Sequence, residues 1–174
     1  LQADGKLIAV GDAAGGGWLM PQKEKILEFG QPVDGLGFSP DGRWLVASAE
    51  KSKFTLWDLK NGTRHPLEDG HYPVFGLSFS PDGHSVAFSC YNGTTYLYNL
   101  ENLNRPPFLM RHKWLTYNAT FSPDSQYLAT FSMDGTARVY ETRTGRAVSP
   151  FLEHSSPVKS VAFRPGPSLD AAMD

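Results

Sequence analysis

The stretch Phe38-Ser39-Pro40-Asp41-Gly42 returns unchanged as Phe79-Ser80-Pro81-Asp82-Gly83 and nearly so as Phe121-Ser122-Pro123-Asp124-Ser125. A weaker copy, Phe163-Arg164-Pro165-Gly166, and a decayed one, Leu1-Gln2-Ala3-Asp4-Gly5, extend the series. Successive Phe positions lie 41, 42 and 42 residues apart. A fixed period of this size means one supersecondary unit repeated, each copy stacking on the next to bury its apolar faces.

Within one period the pattern is that of four short strands. Residues 74–79 alternate, placing Phe75, Leu77 and Phe79 on one face, which is the period-two signal of a strand. Pro81-Asp82-Gly83 is a turn, because Pro presets φ and Gly accepts φ > 0. Residues 86–89 form the second strand and Asn92-Gly93 a hairpin turn. Residues 94–98, β-branched and aromatic, form the third strand, and residues 108–110 the fourth. The preceding repeat gives strands at 33–38, 44–49, 54–58 and 64–67, and the following one at 116–121, 127–132, 137–140 and 147–152. Asp41-Gly42, Asn61-Gly62, Asp134-Gly135 and Thr144-Gly145 punctuate them. Residues 6–29 supply strands two to four of a further unit, with a hairpin at Gly15-Gly16-Gly17, and residues 157–163 a first strand. No window sustains a helical apolar period.

Composition narrows the function. Sixteen basic residues stand against 18 acidic ones, without a dense Lys/Arg cluster. That argues against a nucleic-acid partner. No apolar run approaches the roughly 20 residues of a membrane helix, so no membrane partner is expected. A single cysteine, Cys90, excludes an intrachain disulfide and fits a reducing, cytoplasmic location. The chain opens on Leu1, which reads as a piece of a longer polypeptide.

Catalytic and metal signatures are missing from the sequence. Gly76-Leu77-Ser78-Phe79-Ser80 lacks the second Gly of a nucleophile elbow, and Gly11 to Gly17 lacks the Lys-Ser/Thr of a phosphate loop. The five histidines have no zinc spacing, and no Asp-x-Asp-x-Asp run supports calcium. No cofactor, metal or catalytic residue is expected. The sequons at Asn61, Asn92 and Asn118 are read as chance.

Leu56-Trp57-Asp58 and Gly70-His71, with the period and the turns, resemble the WD40-repeat family, whose units carry Gly-His and Trp-Asp signatures over about 40–45 residues. Leu97-Tyr98-Asn99 and Val139-Tyr140-Glu141 stand in the Trp-Asp place. The resemblance spans residues 1–164 and looks similar to bacterial members. It implies an all-β, WD40-type β-propeller with about four blades' worth of four-stranded antiparallel sheets. The implied blades are a partial one at 1–29, whole ones at 30–70, 71–111 and 112–153, and a first strand at 154–164. A flexible tail follows at 165–174. Propellers typically use 4–8 blades, so the expectation is part of a larger ring whose remaining blades or domains lie in the parent chain. A closed four-bladed ring, with residues 157–163 completing the blade of residues 6–29, is the alternative.

The resemblance also implies a hydrogen-bonded set inside a blade. His112, Thr130 and Asp134 fall on that pattern, with Tyr140 in the Trp place. The first repeat departs from it, with Phe29, Ala47 and Lys51 at the corresponding positions, and the second with Phe88 and Asn92. On the face shared by the second-to-third-strand hairpins and the inter-repeat connections, the family pattern places Glu50, Lys51, Tyr72, Tyr91, Trp114 and Met133. Large aromatics there suit binding of other proteins or peptides. The function expected is a non-catalytic protein–protein interaction scaffold. The alternative is an accessory propeller of a larger enzyme, such as a kinase, protease or hydrolase.

Overall fold

The computed structural model describes residues 8–11, 13–14, 16–20, 24–28, 33–49, 53–67 and 72–164. It contains strands and turns and, among the described residues, no helix. The chain divides into two compact units, Leu1–Pro73 and Val74–Asp174.

In the first unit β1 (Ile8–Gly11), β2 (Gly16–Met20) and β3 (Glu24–Glu28) form a three-stranded sheet. β4 (Val33–Phe38), β5 (Trp44–Ala49), β6 (Lys53–Asp58) and β7 (Thr63–Leu67) form a four-stranded one. The second unit holds two four-stranded sheets. One comprises β8 (Val74–Phe79), β9 (Ser85–Cys90), β10 (Thr94–Asn99) and β11 (Phe108–Arg111). The other comprises β12 (Thr116–Phe121), β13 (Tyr127–Ser132), β14 (Thr136–Glu141) and β15 (Leu152–Glu153). Every pairing is antiparallel between chain neighbours, as in a propeller blade.

The Ser-Pro-Asp turns explain why the pentapeptide recurs. Ser80 Oγ donates to Asp82 Oδ1 at 2.6 Å and accepts the Ser85 amide at 2.9 Å, while the His84 amide donates to Asp82 Oδ1 at 3.0 Å. The Gly83 amide closes the turn on the Ser80 carbonyl at 2.9 Å. Ser39 with Asp41, and Ser122 with Asp124, repeat these bonds atom for atom. A serine hydroxyl and a carboxylate thus occupy the backbone donors that a tight turn leaves open. The fourth position needs positive φ, met by Gly42 at 69° and Gly83 at 74° but by Ser125 at 63° in the third copy. Asp58 of the Trp-Asp motif does similar work at the next turn. Buried, it accepts the Lys60 amide at 2.9 Å and a guanidinium bond from Arg43 at 2.8 Å.

The apolar alternation supplies the core. In the first unit Leu45, Ala47 and Trp57 are buried with Ala9, Leu36, Phe38 and Leu59 against them. In the second, Ala87, Leu97 and Met110 of one sheet pack on Ala119, Phe121, Leu128 and Tyr140 of the next. Each buried aliphatic side chain contributes on the order of 2 kcal/mol by leaving water.

Three expectations are corrected. First, the pairing register shifts between Val33 and Gly35, between Val74 and Gly76, and between Thr116 and Asn118. The second residue of each first strand is therefore the extra residue of a β-bulge. Simple alternation breaks there, so Phe75 does not share the inward face of Leu77 and Phe79; it is 54% exposed. Second, the continuous strand expected at 147–152 is broken into a bridge from Ala147 to Tyr140 and the short β15. Ser149 diverts the ladder by accepting the Val139 amide on its side chain at 3.0 Å, and Pro150 has no amide to donate. Third, residues 157–163 form no strand, because an extended segment becomes one only when a neighbour takes its amides. The Val158 amide reaches the Ser132 carbonyl at 3.1 Å, and no ladder continues from it among the described residues. The tail 165–174 lies outside the described residues, as do Phe29 and Gly70-His71.

Candidate functional site

His112 follows directly on β11, and its ring enters the next sheet. Its Nε2 lies 2.7 Å from Thr130 Oγ1 and its Nδ1 2.8 Å from Thr136 Oγ1. The single Thr136 hydroxyl proton goes to Asp134 Oδ1 at 2.6 Å. Thr136 must then accept from His112, which places the ring proton on Nδ1. Nε2 is left as an acceptor, and Thr130 donates to it. The chain therefore runs in one direction, from Thr130 through His112 and Thr136 to Asp134. It staples the residue that follows β11 to β13 and β14 of the next sheet.

Asp134 is the anchor. Oδ1 also takes the Thr136 amide at 2.9 Å, and Oδ2 takes the Lys113 amide at 2.8 Å. Burial pushes its pKa up, but these bonds and the nearby His112 outweigh that and hold it below its ordinary value. For His112, burial pulls the pKa down and outweighs the attraction of Asp134, so the ring is neutral near pH 7. Tyr140 stands beside this chain in the buried core. Burial raises its hydroxyl pKa against the opposing pull of Arg138 and Thr130.

The staple positions a set of loops. Ser132 Oγ donates to the carbonyls of Trp114 and Leu115 at 3.0 and 2.9 Å, and the Met133 amide donates to Leu115 at 2.9 Å. Gly93, at φ 81°, lies so close to this connection that a Cβ there would meet the His112 and Trp114 carbonyl oxygens at 2.6 Å. With the backbone fixed on both sides, the side chains point outward. Trp114 is 63% exposed and Tyr91 58%, and Met133 is exposed beside them. Phe75 reaches Tyr91 with ring centroids 6.0 Å apart. The bulge that displaced Phe75 from the core thus delivers it to this face. In the first unit Tyr72, two residues before β8 as Trp114 is before β12, is also exposed. Glu50 and Lys51 lie outside the described residues.

Sequence reasoning placed His112, Thr130 and Asp134 together on the family pattern but missed Thr136, Ser132 and Phe75. A threonine following Asp-Gly was the available signal for Thr136.

On the other side of the second unit, among the Ser-Pro-Asp turns, a cleft of about 380 Å³ is lined by Asp82, Glu101, Asp124 and Glu141 with His84 and Arg143. Among the described residues no three metal-ligating side chains converge. Cys90 is buried, and burial raises its thiol pKa to about 12, which makes it a poor nucleophile. No described helix is long and apolar enough to cross a membrane.

Among curated proteins none matches the chain in sequence. Many solved structures share its fold. One is the crystal structure of the computationally designed Ika8 protein, at 18% identity and a TM-score of 0.72. The match covers 92% of this chain and 50% of that one, so this chain spans half the length of the solved protein. The model of the WD domain, G-beta repeat, matches residues 23–58, 64–99 and 109–141, more than half of the chain. Each match runs from the last strand of one sheet through the first three strands of the next, and the chain belongs to the WD40-repeat family.

Proposed function

We propose that this chain serves as a non-catalytic docking platform on which other proteins or peptides bind at the loop face of the second unit carrying Tyr91, Trp114 and Met133. WD40 repeats are commonly protein-interaction scaffolds and generally non-catalytic. The observation that carries the reading is the run of exposed Phe75, Tyr91, Trp114 and Met133 on backbone held from both sides. Rigid, exposed aromatics lose little freedom on binding and dominate interface energetics. By their places in the repeat, Glu50, Lys51 and Tyr72 of the first unit are proposed as further protein-binding residues. The His112, Thr130, Asp134 and Tyr140 set has a structural role, fixing the loops. The blades are proposed as residues 30–70, 71–111 and 112–153, flanked by partial units at 1–29 and 154–164. The buried, unreactive Cys90 suits a cytoplasmic setting, and no nucleic-acid or membrane partner is proposed.

Selection of displayed peptides against the wild-type chain, with counter-screening on a Tyr91→Ala/Trp114→Ala variant, tests this. Peptides that bind the wild type and lose the variant support the reading. Peptides that bind both equally, or turnover of a small molecule by the chain itself, overturn it.

A further inference from the structure

We propose that the segment taken by this face is an acidic peptide carrying a large apolar anchor, an inference that rests on the docking reading above. The argument lies in where the charges of the loops go. Two exposed cations, Arg111 at the end of β11 and Lys113 in the connection to β12, precede Trp114. Neither side chain has an ion-pair partner among the described residues. The loops 91–93, 111–115 and 133–135 contain one carboxylate, Asp134, and its charge is turned inward. Its side chain is 6% exposed, and both oxygens are occupied by Thr136 and the Lys113 amide. An incoming carboxylate therefore meets two free cations and no exposed competitor on these loops. The next connection along adds exposed Glu153 and Lys159, which offset each other.

The apolar half of the site is as definite. Trp114 follows Lys113 in the chain, Tyr91 and Met133 lie on loops whose backbone is bonded to the same connection, and Phe75 extends the surface from Tyr91. The close approach of Gly93 to the His112 and Trp114 carbonyls fixes the backbone that carries Arg111, Lys113 and Trp114. Such a surface suits a short segment with a Phe or Leu between carboxylates. A nucleic acid would also meet aromatics and cations here, but tracking a phosphate backbone takes a row of positive charge longer than two residues.

Fluorescence anisotropy with the whole chain tests this, using three labelled probes: Glu-Asp-Phe-Leu-Asp-Glu, its uncharged counterpart Gln-Asn-Phe-Leu-Asn-Gln, and a thymidine 15-mer. At about 50 mM salt the acidic peptide is expected to bind about tenfold more tightly than the uncharged one, a gap that narrows as salt rises. Arg111→Glu with Lys113→Glu should erase the gap, and Trp114→Ala should weaken both peptides. All three changes are at exposed positions, and far-UV circular dichroism verifies that the variants fold. Equal binding of the two peptides overturns the acidic preference and leaves the docking reading standing. Binding of neither peptide overturns both. Preference for the thymidine 15-mer overturns the peptide assignment in favour of a nucleic acid.

Discussion

The β4–β7 sheet and the β12–β15 sheet share a strand order, a Ser-Pro-Asp turn and a bulge in the first strand, yet their interiors are wired differently. In the later sheet Thr130 begins a hydrogen-bonded chain through His112 and Thr136 to Asp134. In the earlier one Ala47 stands in the place of Thr130, and the indole Nε1 of Trp57 is buried with no hydrogen-bond partner among the described residues. The β8–β11 sheet takes a third course. Phe88 fills that place and meets Tyr98 edge-on at 5.8 Å. Three sheets of one shape with three interiors show that the polar chain does not specify the blade. Turn chemistry and apolar alternation do that. Where it is present, the polar chain ends on Asp134, which also accepts the Lys113 amide of the loop before β12.

The largest expected effect comes from cutting the chain at its first donor. Thr130→Val keeps the shape of a fully buried residue but removes the proton given to His112 Nε2. A buried acceptor left unsatisfied costs about 2 kcal/mol. The midpoint of urea unfolding should fall accordingly, with the slope unchanged. A loss below about 0.5 kcal/mol would mean that His112 packs well without its bonds, and the contrast between the two sheets would lose its energetic content.

The converse change should help the earlier sheet. Ala47→Ser offers an oxygen in the place of Thr130, within the core beneath Trp57. Satisfying the indole N–H should raise stability by about 1 kcal/mol, since the group is already desolvated and the added atom is small. The same urea measurement decides. Destabilisation instead would show that the core around Trp57 has no room for one more atom, and that apolar packing is what the first repeat relies on.

Titration separates the sheets in a second way. The folded state holds His112 below its ordinary value of 6.5, so the unfolded chain binds a proton first as pH falls. Stability should therefore drop as the pH passes below 6.5 and level off once it is under the folded value. Asp134 acts in a lower window. Its folded pKa is depressed, so its contribution is present above 3.8 and is lost as pH falls through the folded value. His112→Gln should remove the upper step and leave the lower trend. An upper step of undiminished size in that variant would assign it to another histidine.

The strand positions of these repeats were legible because turn residues bracket each strand. Val33–Phe38, Val74–Phe79 and Thr116–Phe121 stand where the alternation and the Ser-Pro-Asp turns put them. What escaped the sequence depends on contacts across the ladder. Val74 to Phe79 alternates perfectly as letters, but the bulge that turns Phe75 outward is a two-against-one pairing with β9, which no single strand encodes. The diversion at Ser149 likewise depends on the partner amide of Val139. For the site, His112, Thr130 and Asp134 were found through the family pattern. Thr136 was missed because that pattern names one Ser/Thr position, filled by Thr130, whereas here a second threonine hydroxyl links His112 Nδ1 to Asp134.

The smallest effect is the most discriminating. Ser125 departs from the Gly of the other two turns and holds φ at 63°, a conformation that costs a non-glycine residue about 1 kcal/mol. On turn geometry alone, Ser125→Gly should stabilise. Yet Ser125 Oγ accepts the Asp82 amide of the preceding Ser-Pro-Asp turn at 3.1 Å, a bond between two blades that Gly42 and Gly83 have no side chain to make. That bond is worth about 1 kcal/mol, so the two terms should nearly cancel for Ser125→Gly. Ser125→Ala keeps the backbone strain and loses the bond, and it should therefore be the less stable variant by about 1 kcal/mol. If Ser125→Gly proves clearly more stable than the wild type, the serine is only a worn copy of the turn. If the two variants instead order as Gly near wild type and Ala below it, the departure from the repeat is a tie between neighbouring blades.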